Sequence, residues 1–255
     1  MNTQHSHMKL RPFQPRLHPI AAAALAALAA LAMPATAGTI TGTPHDLSTK
    51  GWGTTELCKF CHTPHQAQNV VGAPLWNHRT TTANYSLYSS ATFKGSSTQP
   101  GPTSKLCLSC HDGTVAINQS LSGTISGGTP DYIDDGAKIS NDLHVTHPIS
   151  FDYTDALATT DGGLEKPSTY TIGDPKTGLT VTTAPVPAAW DGTSLTGKTI
   201  KEALLEGDRM QCSSCHDVHK LVGSAPSSGI MVKISGSDTG SPTRGSLICR
   251  TCHIK

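Results

Sequence analysis

Cys58-Lys59-Phe60-Cys61-His62 opens a pattern that the chain repeats three more times. The later copies are Cys107-Leu108-Ser109-Cys110-His111, Cys212-Ser213-Ser214-Cys215-His216 and Cys249-Arg250-Thr251-Cys252-His253. All eight cysteines fall in these four copies and none is left over. Paired cysteines alone would suit a disulfide framework in an exported chain, two four-cysteine zinc sites or redox dithiols. None of those arrangements calls for His after every second Cys. With 13 His among 255 residues, four such placements arise by chance with a probability of roughly 10⁻⁵, far too small to set aside the pattern as coincidence.

The spacing C-x-x-C-H is that of a c-type haem attachment site. Two thiols add across the two vinyl groups on one porphyrin edge, and the adjacent imidazole supplies the proximal bond to iron. The pattern therefore predicts four haem c groups. Cys58 and Cys61, Cys107 and Cys110, Cys212 and Cys215, and Cys249 and Cys252 are the expected attachment residues. His62, His111, His216 and His253 are the expected proximal ligands.

Upstream of the first motif, Lys9, Arg11 and Arg16 precede a 14-residue Ala/Leu run, Ile20 to Met33, that ends at Pro34 and Ala35-Thr36-Ala37. The run is too short to span a bilayer. Its basic front and A-x-A end read as a secretory signal over residues 1–37, leaving 38–255 as the tetrahaem domain. Removing it takes three basic residues and no acidic ones, so 16 Lys and Arg face 18 Asp and Glu, and the formal charge falls from +1 to −2. No basic patch remains to suggest nucleic acid or an anionic membrane, and no other apolar run is long enough to span one. The expected location is secreted, extracellular or at the cell surface, with the periplasm as the alternative.

Each iron has a second axial position. The mature segment holds ten His, and six lie outside the motifs: His45, His65, His78, His144, His147 and His219. Only Met210 and Met231 remain as thioether ligands, and Met210 stands two residues before Cys212, an awkward place from which to ligate. The surplus of His predicts bis-His ligation at every site, which closes the irons and points to electron transfer rather than to an enzyme. His65 and His219 each lie three residues past a proximal His and cannot reach the opposite face of the same haem. They are expected to serve a neighbour, with the first two motifs forming one close pair and the last two another. His147, held extended by Pro148, His78 in Pro74-Leu75-Trp76-Asn77-His78, and His45 near the mature start complete the distal candidates. His144 is the weakest of the six.

Gly, Pro, Ser and Thr number 24, 17, 25 and 34, which is 100 of 255 residues, while 36% of the chain is hydrophobic and 5% aromatic. That mixture favours turns and excludes a coiled coil, a helical bundle or a Leu/Val-rich doubly wound sheet. The expected fold is mostly irregular coil, a multihaem c-type cytochrome with the haem stack as its core and little order without haem. Short helices are expected at the four motifs and over Thr199–Gly207, and brief β-hairpins over Ile172–Pro187 and Ser224–Pro242. Asp131, Asp134 and Asp135 match no calcium-loop signature and read as a solvated turn. The acceptor sequences at Asn84 and Asn118 read as chance matches.

Several phrases carry a family resemblance. They are Pro44-His45-Asp46-Leu47-Ser48, Cys58-x-x-Cys61-His62-Thr63-Pro64-His65, Ala73-Pro74-Leu75-Trp76-Asn77-His78 and Leu106-Cys107-Leu108-Ser109-Cys110-His111-Asp112-Gly113. His147-Pro148-Ile149-Ser150, Gln211-Cys212-Ser213-Ser214-Cys215-His216-Asp217-x-His219 and the terminal Cys249-x-x-Cys252-His253 complete the set. Together they resemble the secreted tetrahaem cytochromes of metal-reducing bacteria, including the OmcE-type extracellular cytochrome filaments. Residues 151–205 carry little of the likeness. The resemblance implies a homo-oligomeric filament with a continuous haem stack and an N-terminal His, here His45, that ligates a haem of the neighbouring subunit. It also implies redox partner cytochromes or extracellular acceptors. A soluble periplasmic tetrahaem shuttle is the alternative, and a multihaem reductase is less favoured.

Overall fold

Pro102 starts the longest helix among the described residues because its fixed φ and missing N–H suit a first helical turn. This helix, α1 (Pro102–His111), carries the second motif and buries Ser104, Leu106, Leu108 and Ser109. The computed structural model describes residues 40–125, 128–173, 195–219, 232–234 and 247–254. The expected signal segment lies outside them, as do most of the two stretches where hairpins were expected.

Four shorter helices follow. Thr154 caps α2 (Asp155–Asp161) by accepting from the Leu157 N–H. Thr199 and Glu202 form a reciprocal capping box at the start of α3 (Ile200–Leu204), within the span where the sequence predicts a helix. The third motif forms α4 (Cys212–Cys215) and the fourth lies in α5 (Leu247–Cys252). The first motif departs from the expected pattern. It makes a single hydrogen-bonded turn, with the His62 N–H donating to the Cys58 carbonyl at 2.8 Å, and enters no helix. Instead His62 bridges to Trp76. That residue belongs to a hairpin of β1 (Gln68–Val70) and β2 (Ala73–Trp76), in which Gln68 faces Trp76 and Val70 faces Ala73. A second small hairpin joins β3 (Gln119–Ser120) to β4 (Gly123–Thr124). Neither hairpin was expected from the sequence, because the strands are too short to show a two-residue alternation.

Buried apolar side chains gather in two places. The larger cluster contains Phe151, Tyr153, Ala158, Tyr170, Ile172, Leu195, Ile200, Leu204, Met210, Ile234 and Leu247. The smaller contains Tyr85, Leu108 and Leu143. The larger one falls mostly in the stretch that carries little family likeness. The polypeptide thus has a side-chain core of its own in that half, beyond the cofactor core expected from composition.

A buried polar network ties α1 to α4. Gln211 Oε1 accepts from the Ser104 hydroxyl at 2.5 Å and from the Ser150 hydroxyl at 3.0 Å. Ser104 Oγ in turn accepts the Cys212 N–H at 3.0 Å, and Ser150 Oγ accepts the Gly101 N–H at 2.9 Å. Gly101 is required here, since a Cβ at that position would stand 2.6 Å from Gln211 Nε2. The network fixes the second motif beside the third.

Candidate functional site

The four motifs, scattered over the sequence, come together as a ladder of thiols. Burial pushes Cys61 up to about 11 and Cys110 up to about 12, and Cys61 adds to the effect on Cys110. Cys107 and Cys212 share a hydrogen bond that holds Cys107 well above its ordinary value and draws Cys212 down to about 7. Burial then pushes Cys215 to about 11 and Cys252 to about 12, Cys249 acting on Cys215 and Cys215 on Cys252. The neighbour relations therefore run from the first motif to the second, the second to the third and the third to the fourth. All eight cysteines are free thiols, so nothing in the ladder competes with covalent attachment.

Six of the histidines meet in three pairs, one stacked, one tilted and one edge-on. His62 and His219 have ring centres 6.2 Å apart, His45 and His111 6.1 Å, and His147 and His253 6.3 Å. Two imidazoles bound to one metal at about 2 Å per bond hold their ring centres about 6 Å apart. Aromatic pairs in general share that range, so the identities of the partners are what discriminate. Each pair joins one motif histidine to one histidine from outside the motifs. Among the described residues, no three His, Cys, Asp or Glu side chains gather to hold an ion directly. The histidine rings come in twos instead.

Second contacts orient these rings. The Nδ1–H groups of His62, His111 and His147 donate to the carbonyls of Pro74, Ala137 and Pro148, each at 2.8 Å. That contact selects the tautomer whose Nε2 carries the lone pair, the arrangement that metal-bound histidines use. Burial first, and then His111, His216 and His219, lower the His45 pKa to about 4, which leaves its imidazole neutral and able to ligate at neutral pH. His216, the third motif's histidine, belongs to this same cluster.

The fourth motif opens on a cavity of about 390 Å³ lined by His147, His253, Cys215, Cys249 and Cys252. Tyr88, Phe93, Phe151 and Tyr153 also line it, four of the twelve Phe, Trp and Tyr of the whole chain. Phe93 packs edge-on against both Tyr88 and Phe151, at 5.5 and 5.2 Å. An apolar slot carrying both thiols of the fourth motif, its His253 and the neighbouring His147 has the donor set that a covalently held haem needs.

The pairing differs from the sequence expectation in two respects. His219 pairs with His62 rather than with a site of the fourth motif, and the α1–α4 contact places the third motif beside the second. His45 pairs with His111 of its own chain. Of the other candidates, His65 is exposed and joins no described ring pair. His78 is only 2% exposed, and its two ring nitrogens approach the carbonyls of Arg79 at 2.8 Å and Ala116 at 3.0 Å. His144 is exposed and pairs with Asp142 at 2.9 Å. Asp131, Asp134 and Asp135 form no ion-holding cluster.

Asp112 is a structural hub that no sequence motif marks. Its Oδ2 accepts from the Tyr85 hydroxyl at 2.6 Å, and its Oδ1 accepts from the Thr114 N–H at 2.7 Å, fixing the residue that follows His111. Among the described residues, no helix is long and apolar enough to cross a membrane. Compared with known proteins, the chain matches no family model, and no curated protein matches it.

Proposed function

We propose that this protein is an exported electron-transfer protein that carries four covalent c-type haems with His ligands on both axial faces. The observation that carries the reading is the set of three ring pairs, each made of one C-x-x-C-H histidine and one histidine from elsewhere in the chain. A bound c-type haem supplies a one-electron ferric/ferrous couple. The chain's part is to hold, orient and insulate. The backbone carbonyls of Pro74, Ala137 and Pro148 fix three imidazoles, and the aromatic walls of the cavity keep water from the fourth site. The thiol ladder supports a route that passes through the motifs in sequence order. A second histidine at three of the four motifs leaves no position for a substrate there, which disfavours a reductase.

Co-expression with a haem-attachment system, followed by denaturing electrophoresis with haem staining and intact-mass measurement, tests the assignment. Four haems per chain are expected, and a chain without covalent haem overturns it.

Assembly is part of the same proposal. The family likeness supports a filament, whereas the pairing of His45 with its own chain's His111 favours a soluble tetrahaem carrier. Electron microscopy of secreted material separates the two: thin filaments support the polymer, and monodisperse particles of one chain support the carrier. In the polymer, with His45 given to a neighbour, His45→Ala abolishes filaments while four haems stay attached. In the carrier it opens one iron and leaves the particle size unchanged.

A further inference from the structure

Asp217 stands between the third motif's histidine and His219, and its side chain is only 5% exposed. Its Oδ1 accepts the His219 backbone N–H at 3.0 Å and lies 3.9 Å from His219 Nδ1. Its Oδ2 is buried with no hydrogen-bond partner among the described residues. The ring contacts of His62, His111 and His147 are of another kind, because each ends on a neutral backbone carbonyl. Among these four ligand candidates, His219 alone has a carboxylate beside its Nδ1. At 3.9 Å the group lies beyond hydrogen-bond length and acts on the ring as a fixed charge. Burial keeps water from screening that charge. Lys233 is the neighbouring cation: burial lowers its pKa, and the Asp217 carboxylate acts in the opposite direction.

We infer that Asp217 is a positioning residue that sets the His62–His219 site apart as the lowest-potential couple of the four. This rests on the haem reading above. At this separation the carboxylate acts through its field alone, and negative charge near the iron favours the oxidised state. The first site would then be the last of the four to accept an electron and the most reducing donor once filled.

The test is spectroelectrochemical titration of the haem-loaded protein, with covalent haem content measured in parallel. In Asp217→Asn, one of the four couples is expected to become about tenfold easier to reduce, a rise of about 59 mV for one electron, with four haems retained. Four unchanged couples, or a uniform shift of all four, overturns the inference. A second variant guards against a folding defect at position 217. Replacing Cys58 and Cys61 together by Ala removes the first attachment site, and the couple that disappears must be the lowest. Loss of a higher couple overturns the inference. A wild-type chain that binds no covalent haem is a different failure and overturns the haem reading itself.

Discussion

His147 shows how one residue can be prepared as a ligand by its immediate neighbour. Pro148 restricts His147 to extended backbone, and its carbonyl accepts the His147 Nδ1–H at 2.8 Å. With its Nδ1 so engaged, the ring stands 6.3 Å from that of His253, centre to centre. If this is the sixth ligand of the fourth site, His147→Ala leaves all four thioether-bound haems in place and opens one iron. We expect about a quarter of the haem absorbance to change from low-spin to high-spin, and added imidazole to restore it. An unchanged spectrum would exclude His147 as a ligand. The candidate role of this residue was legible in the sequence because the histidines exceeded the motifs. Its partner was not. The His62–His219 pair spans most of the mature chain, and no local spacing reports a contact of that range.

At the scale of elements, the site depends on how two helices meet. Helix α1 could be read from Pro102 and the motif it carries, and α3 from the Thr199–Glu202 capping box. Their meeting with α4 could not, because it is written in isolated polar residues. Ser104, Ser150 and Gln211 are respectively 0%, 0% and 3% exposed, yet nothing in their sequence positions separates them from the many surface Ser and Gln. Gln211→Ala removes the acceptor shared by the Ser104 and Ser150 hydroxyls. A buried polar group left without a partner costs about 1–3 kcal/mol, so two of them should cost about 2 kcal/mol or more. For a chain of this size that corresponds to a fall in Tm of roughly 4–8 °C. Thermal melting of the haem-loaded variant checks it, and an unchanged Tm means that the network contributes nothing. Gln211→Glu keeps an acceptor and should recover part of the loss.

At the scale of the molecule, apolar material is divided unequally. Among the described residues, the half around Phe151–Leu204 joins eleven buried apolar side chains in one cluster, whereas around the first two motifs only three cluster and Phe60, Ala73, Leu106 and Ala116 are buried apart from them. Composition alone suggested a chain with too little core anywhere, because it averages the two halves. The division makes the contribution of haem uneven. In the first half the porphyrins would supply most of the buried apolar surface, while in the second they would add to a core that already exists. Hydrogen exchange on the chain with all eight cysteines replaced by Ala, which cannot attach haem, tests this directly. Slow-exchanging amides should persist in 151–172 and 195–211, where tertiary burial protects the backbone. Residues 58–80 and 107–147 should exchange fast and become protected only in the haem-loaded protein. Loss of protection throughout the unloaded chain would show that the larger cluster, too, forms only around haem. Equal protection in both halves would show instead that the polypeptide folds first and that haem enters a structure already made.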